Sequence, residues 1–210
     1  MKRLARLVVA GIAAVALAAC GGPAAVVRPV GSPTATLYGG AELTEPYTMP
    51  DATLTDSTGQ KFALRTGSDK PVVVVFFGYT NCPDICKTTL SDLASALNRV
   101  SPETRGKIQV LLITTDPARD TPEVLKAYLA RFDPTFIGLT GSLDEIKKIA
   151  ATMGVVIEGT TKTPDGGYEV THSTQVIGFD QTRKGRLVWT QGTSIGTYKD
   201  DFDRFAATQG

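Results

Sequence analysis

The chain has 210 residues, of which 42% are hydrophobic and 20% are charged, a composition typical of a globular protein rather than a disordered or fibrous one. The 22 lysine and arginine residues nearly balance the 21 aspartate and glutamate residues, so the net charge is +1 and nucleic acid is not an expected partner. The chain contains three cysteines and one histidine, which excludes a zinc-finger array and a disulfide-rich scaffold.

The N-terminal segment has the features of a secretory signal. Basic residues precede an uncharged run from Leu7 to Ala19, which is shorter than the roughly 20 residues of a membrane-spanning helix. The run ends in Leu17-Ala18-Ala19-Cys20, which resembles the lipobox of bacterial lipoproteins. This resemblance implies that residues 1–19 are removed and that acyl chains on Cys20 anchor the protein to the extracytoplasmic face of the bacterial cell membrane. The alternative is an ordinary signal peptide with a chance cysteine.

The segment after the signal is predicted to be a flexible tether. Residues 20–46 contain Gly-Gly-Pro, Gly-Ser-Pro and Gly-Gly and show little apolar periodicity. As a flexible coil this length reaches only about 25 to 30 Å. The folded domain, predicted over residues 47–210, is therefore expected to work close to the membrane surface.

Strand patterns recur through the predicted domain. A β-hairpin is predicted over Ala52–Leu64, with its turn at Asp56–Gly59. Residues 72–77 are apolar without a break, which is typical of a strand covered on both faces. Further strands are expected in the following segments: residues 108–113, 136–139, 174–179 and 186–189.

Helix patterns alternate with these strands. The first helix is marked by apolar residues at helical spacing, which are Leu90, Leu93, Leu97 and Val100. Thr121 followed by Pro122 predicts the start of a second helix, and the capping box Ser142–Glu145 predicts a third. Four residues of the third helix are expected to face the core: Leu143, Ile146, Ala150 and Met153. A last helix is predicted over about 197–207.

This order of elements predicts a single α/β domain with a central mixed sheet flanked by helices. Right-handed crossovers make the strands on either side of the first helix parallel neighbours. Ligands in such sheets bind at the carboxyl ends of the strands, so the segment after residue 77 is the expected site. Trp189 ends an apolar strand and is expected in the core.

Cys82 and Cys86 follow the central strand and lie four residues apart near a helix start, which Pro83 or Thr89 could mark. The positive end of the helix and Lys87 favour thiolates there. Three interpretations fit such a pair: a structural disulfide, a dithiol redox couple, or a metal site. Two thiolates and an imidazole would form a soft three-coordinate set suited to Cu(I).

His172 is the single imidazole of the chain and precedes a predicted strand. A lone histidine at a strand edge is commonly solvated or hydrogen-bonded rather than a ligand. Sequence spacing alone does not bring it to the cysteines. Its strand could nevertheless end near the same loops.

Three ordered segments are similar to the signatures of the Sco/SenC family. They are VFFGYTNCPDIC at residues 75–86, TTDPARDTPE at residues 114–123, and Thr171-His172-Ser173. The resemblance spans the predicted domain from about residue 47 and implies a thioredoxin-like fold. It also implies a membrane-tethered copper protein that helps to assemble the binuclear copper centre of cytochrome c oxidase.

On the matching positions, the resemblance implies that Cys82, Cys86 and His172 are ligands of copper, as Cu(I) or Cu(II), and that Asp116 lies near the metal or the partner surface. Two positions depart from many family members, which have proline at position 87 and aspartate at position 171, where this chain has lysine and threonine. An alternative for Asp116, Arg119 and Asp120 is a solvated loop that caps the following helix.

Two main function hypotheses follow. The first is a metallochaperone that passes copper to the copper-bearing subunit of a cytochrome c oxidase. The second is a thiol-disulfide oxidoreductase, in which Cys82 and Cys86 keep the partner's cysteines reduced for metallation. A peroxiredoxin-like peroxidase is a third possibility, and it predicts rapid peroxide turnover.

Overall fold

The structure is a computed structural model that describes residues 37–164 and 166–209. The strands are β1 (Ala41–Thr48), β2 (Thr53–Asp56), β3 (Lys61–Ala63), β4 (Val72–Gly78), β5 (Ile108–Thr114), β6 (Ile137–Thr140), β7 (Ile157–Lys162), β8 (Tyr168–His172), β9 (Val176–Phe179) and β10 (Lys184–Trp189). The helices are α1 (Ile85–Leu97), α2 (Pro102–Gly106), α3 (Pro122–Leu129), α4 (Leu143–Thr152) and α5 (Ile195–Ala207). The predicted signal, Cys20 and the first part of the predicted tether lie outside the described residues.

Eight strands form the main sheet in the order β1-β10-β9-β4-β5-β6-β2-β3. Strand β4 pairs in parallel with β5 and antiparallel with β9, so the predicted parallel neighbours on either side of α1 are confirmed. Every residue of β4 is buried, which agrees with its uninterrupted apolar sequence. The predicted hairpin is confirmed as β2 and β3. The mixed α/β architecture predicted from the element order is therefore present.

The helix-start signals are confirmed at two of the predicted positions. The Thr121 hydroxyl accepts a hydrogen bond from the Val124 N–H at the start of α3. Ser142 and Glu145 form the reciprocal capping box of α4. Leu143 was expected to face inward, but it is 40% exposed because it is the first residue of α4 and lies on the rim of a surface cleft.

Strand β1 corrects the predicted domain boundary at residue 47. Residues 41–48 pair antiparallel with β10, with an irregularity between Glu42 and Tyr47, so the end of the predicted tether belongs to the sheet. The sequence pattern predicts that the Gly39-Gly40 pair before β1 belongs to the flexible tether. A Cβ atom on Gly40 would lie 2.6 Å from Trp189 Nε1 and one on Gly39 would lie 2.5 Å from Thr197 Cγ2. These glycines therefore permit close packing, and the folded domain begins before residue 41.

Strands β7 and β8 form a separate two-stranded antiparallel hairpin that the sequence patterns did not predict. Most of its side chains are exposed, so it lacks the apolar alternation of a core strand. Its register pairs Ile157 with His172. The hairpin therefore places the single histidine at the end of a strand outside the main sheet.

The core lies between the main sheet and its helices. Trp189 is 1% exposed, which confirms its predicted core position, and its Nε1–H donates to Asp201 at 2.7 Å. Helix α1 packs against α5, and α3 packs against β6. Each helix in the described part of the chain is too short or too polar to cross a lipid bilayer.

Candidate metal centre

The loop that carries the cysteines leaves the carboxyl end of β4, as predicted. Helix α1 begins at Ile85, between the two predicted starts, because the N–H groups of Lys87 and Thr88 donate to the Asp84 carbonyl and close the first turn there. Cys82 therefore lies just before α1, and Cys86 is its second residue. Both sulfurs lie at the positive end of the helix.

The two thiols interact directly with the helix start. The Cys86 N–H donates to Cys82 Sγ at 3.4 Å, so the sulfur satisfies a backbone donor that Asp84 does not cap with its side chain. Both cysteines are free and buried. Cys82 retains 6% exposure, whereas Cys86 has none. The structural disulfide interpretation therefore does not describe this state of the pair.

The pKa values of the two thiols move in opposite directions. Hydrogen bonding from the Cys86 thiol, assisted by backbone N–H groups and Lys87, lowers the pKa of Cys82 despite its burial. Hydrogen bonding to Cys82, burial and the charge on the Cys82 sulfur together raise the pKa of Cys86. One proton shared between the sulfurs thus leaves Cys82 as the thiolate.

This asymmetry predicts selective alkylation. At pH 7, iodoacetamide is expected to modify Cys82 at least about 10-fold faster than Cys86, because the thiolate is the nucleophile and Cys82 is the more exposed sulfur. Since a lowered pKa keeps the thiolate present as the pH falls, the Cys82 rate should decline less between pH 8 and pH 6 than that of an unstructured cysteine peptide. Peptide mass spectrometry measures both rates. Equal rates in the folded protein would contradict the prediction, whereas equal rates are expected after denaturation.

His172 is the last residue of β8, and its ring contacts the ring of Tyr79 in the cysteine loop. The two rings are edge-to-face with centroids 5.9 Å apart. The His172 Nδ1 atom is 2.7 Å from the Ser173 carbonyl oxygen, and since a carbonyl can only accept, Nδ1 carries the proton. Burial lowers the pKa of His172, so the ring is neutral at neutral pH. The Nε2 lone pair is then the one available for a metal.

The acidic residues after β5 are buried rather than solvated. Asp116 is 4% exposed and Asp120 is fully buried, so the solvated-loop interpretation is wrong for both. Asp116 forms an ion pair with Arg119 and accepts a hydrogen bond from the Tyr168 hydroxyl at 2.8 Å. It therefore links the β5–α3 loop to the strand that carries His172.

Asp120 joins the same loop to the cysteine loop. Its carboxylate accepts from the Thr80 N–H at 3.1 Å, from the Thr80 hydroxyl at 2.6 Å and from the Thr114 hydroxyl at 2.6 Å. Burial raises the pKa of Asp120, although these hydrogen bonds oppose the shift. Sequence reasoning missed Thr80 and Tyr168, because both lie about 40 or more positions from their carboxylate partners.

The structure therefore brings Cys82 and Cys86 together and places His172 beside the tyrosine of the same loop. Across residues 37–164 and 166–209, no three His, Cys, Asp or Glu side chains stand close enough together to hold a metal ion. The donor chemistry nevertheless fits a soft cation: one thiolate, a second thiol that a metal would deprotonate, and a neutral imidazole.

Comparisons with known proteins agree on one family. A family model described as SCO1/SenC matches residues 40–207. A Stutzerimonas stutzeri protein named for copper binding is 38% identical over 141 residues, which cover 66% of this chain and 68% of that protein. Mitochondrial SCO1 of Saccharomyces cerevisiae is 40% identical over 121 residues, which cover 57% of this chain but only 41% of that protein. A crystal structure of yeast Sco1 with copper bound matches with a TM-score of 0.67 and 31% identity, covering 81% of this chain and 91% of that one.

Proposed function

Because the chain belongs to the SCO1/SenC family, we propose that it is a membrane-anchored copper metallochaperone. Its cargo is one copper ion, and its partner is the copper-bearing subunit of a cytochrome c oxidase. The observation that carries the proposal is the pair of free thiols, Cys82 and Cys86, at the end of the central strand, with the neutral ring of His172 against Tyr79 of the same loop. The copper-bound structure of yeast Sco1 supports the choice of cargo.

The proposed ligands are the sulfurs of Cys82 and Cys86 and the Nε2 atom of His172. Two soft sulfurs and one imidazole suit Cu(I), whereas a structural zinc site would use a fourth protein ligand. A site with three protein ligands leaves an open side, where a partner's ligands can attack the cargo and replace this chain's ligands one at a time. Delivery thus needs no separate release step.

Loading requires a conformational change at the site. Since His172 is not within a preformed cluster with the sulfurs, the imidazole side chain and the cysteine loop must adjust when copper is bound. The cysteine loop lies between β4 and α1, outside the strands of the main sheet, so it can adjust without breaking the sheet ladder. The Tyr79 hydroxyl accepts from the Val170 N–H at 3.2 Å, so this loop already contacts the strand that carries His172.

The anchor belongs to the same proposal. We infer that acyl chains on Cys20 hold the protein on the extracytoplasmic face of the membrane. The lipobox-like sequence supports this location. Two or more acyl chains hold a protein stably on a bilayer, whereas one chain is marginal.

The opposite pKa shifts of the two thiols favour one second candidate, a thiol-disulfide oxidoreductase. In this reaction the Cys82 thiolate attacks one sulfur of a partner disulfide and releases one partner thiolate. The Cys86 thiol then loses its proton and displaces the second partner sulfur. A Cys82–Cys86 disulfide forms and two electrons pass to the partner, whose sulfurs are released as thiolates; the Cys86 proton protonates one of them and solvent supplies the proton for the other.

His172 distinguishes the two functions. Because His172 is a ligand in the first and has no part in the second, His172→Ala is expected to weaken Cu(I) binding by roughly 10-fold or more. Its rate of thiol-disulfide exchange should stay within about 2-fold of the wild-type rate. Competition with a Cu(I) chelator under anaerobic conditions measures the affinity of the reduced full-length protein.

Cys20→Ser serves as the control in the same titration, because it removes a cysteine outside the proposed ligand set. It should bind one equivalent of Cu(I) with unchanged affinity. Equal affinities of the wild-type protein and His172→Ala would remove the three-ligand site. Full exchange activity together with negligible copper binding by the wild-type protein would favour the oxidoreductase.

A further inference from the structure

The hairpin that carries His172 has little support of its own. It consists of two short strands with mostly exposed side chains, and an isolated two-stranded hairpin is marginally stable in water. Its position relative to the cysteine loop must therefore be fixed by side chains outside the hairpin.

A cleft of about 300 Å³ lies along one side of this hairpin. Residues of β7 and β8 line it together with the loop after β5 and the first turns of α4, among them Pro117, Leu143, Ile157 and Tyr168. The hairpin is thus not packed tightly against the domain on this side. The contacts beside the cleft connect this side of the hairpin to the loop after β5.

Arg119 makes several of these contacts. Its Nη2 atom donates to the Tyr168 carbonyl oxygen at 3.1 Å, and its guanidinium carbon lies 3.7 Å from the centroid of the Tyr168 ring. Its Nε atom pairs with Asp116, whose other oxygen accepts from the Tyr168 hydroxyl. The same guanidinium is 5.9 Å from the ring centroid of Tyr79.

Asp116 is itself held in place by the main sheet. Its N–H donates to the hydroxyl of Thr114, the last residue of β5, at 2.9 Å. The connection therefore runs from the rigid sheet through Asp116 and Arg119 to Tyr168, the first residue of β8. His172 is the last residue of that strand.

We propose that Arg119 is a positioning residue that clamps the β7–β8 hairpin to the loop after β5 and so sets where His172 stands relative to Cys82 and Cys86. The inference rests on the proposed function in taking His172 as a ligand. Lysine could not replace Arg119, because an ammonium group cannot pair with Asp116, donate to the Tyr168 carbonyl and stack on the Tyr168 ring in one geometry.

The test measures Cu(I) affinity for Arg119→Ala in two backgrounds, the wild-type chain and His172→Ala, using the reduced full-length protein. If Arg119 acts through His172, its loss weakens binding about 10-fold in the wild-type background and less than about 2-fold once His172 is absent. Arg119→Lys should behave like Arg119→Ala. When His172→Ala itself weakens binding, equal losses of Arg119→Ala in both backgrounds, or no loss in either, would overturn the proposal.

Amide hydrogen exchange on the copper-free protein gives a readout that does not depend on the metal. Exchange in residues 168–172 is expected to be faster in Arg119→Ala than in the wild-type chain, with the amides of β4 unchanged. Arg131→Ala is a matched control, because Arg131 also stacks on a tyrosine, Tyr128, at 4.7 Å, and donates to its carbonyl. It should alter neither the exchange of residues 168–172 nor the affinity.

Tyr168→Phe keeps the stacked ring and removes only the hydroxyl that bonds Asp116, so it tests the clamp even if Arg119→Ala folds poorly. A smaller effect in the same direction is expected. If His172→Ala itself leaves the affinity unchanged, the proposed ligand set fails. Faster exchange in Arg119→Ala would then still support the clamp, and unchanged exchange would overturn it.

Discussion

Replacing Cys82 and Cys86 together by serine is expected to lower the Cu(I) affinity of the chain by roughly 1000-fold or more. Serine hydroxyls are hard, protonated ligands at neutral pH and cannot replace thiolates for a soft cation. The fold should survive, because serine is nearly the same size as cysteine. The His172 imidazole alone would then hold copper no better than a surface histidine.

Anaerobic competition titration and circular dichroism of the full-length double variant test this expectation. The single variants should each lose less affinity than the double variant, and Cys86→Ser should also remove the thiol that lowers the pKa of Cys82. Cys20→Ser is again the control. Tight binding of one equivalent of copper by the double variant would refute the proposed ligands, since no other cysteine lies in residues 37–164 and 166–209.

The predictable parts of the fold are those determined by residues close together in the sequence. The buried strand at residues 72–77 has an uninterrupted apolar sequence, and Thr121 and Ser142 start helices through hydrogen bonds to residues three positions away. The cysteine pair was equally predictable from the sequence, since its spacing at a helix start is a short-range feature. Each of these signals needs no information about the rest of the chain.

The features that were missed depend on distant residues. The sequence pattern assigns β1 to the tether, because Gly39-Gly40 resembles a linker. In the structure Gly40 instead packs closely against Trp189, which is about 150 positions away. The β7–β8 hairpin is polar and packs on one side only, so it lacks a periodic apolar pattern. The hydrogen bond between Tyr168 and Asp116 joins residues 52 positions apart, which no local pattern connects.

Asp201→Ala is expected to destabilise the domain by about 3 to 5 kcal/mol, because it leaves three donors without an acceptor. The Asp201 carboxylate is 1% exposed. It accepts from the N–H groups of Gly39 and Gly40, at 2.9 and 2.8 Å, and from Trp189 Nε1 at 2.7 Å. One side chain of α5 thereby joins the entry to β1 with the core indole.

In a domain of this size, about 2 to 4 °C is lost per kcal/mol, so the Tm of Asp201→Ala should fall by roughly 10 °C. Asp200→Ala is the matched control: it removes an exposed carboxylate from the neighbouring position of α5, where the surface pair with Lys199 contributes little. Urea and thermal unfolding of the reduced, copper-free full-length protein measure both variants. Asp201→Asn should be intermediate, because it keeps one oxygen as an acceptor. Equal stabilities of Asp201→Ala and Asp200→Ala would show that Asp201 does not hold Gly39-Gly40 and the start of β1 in place.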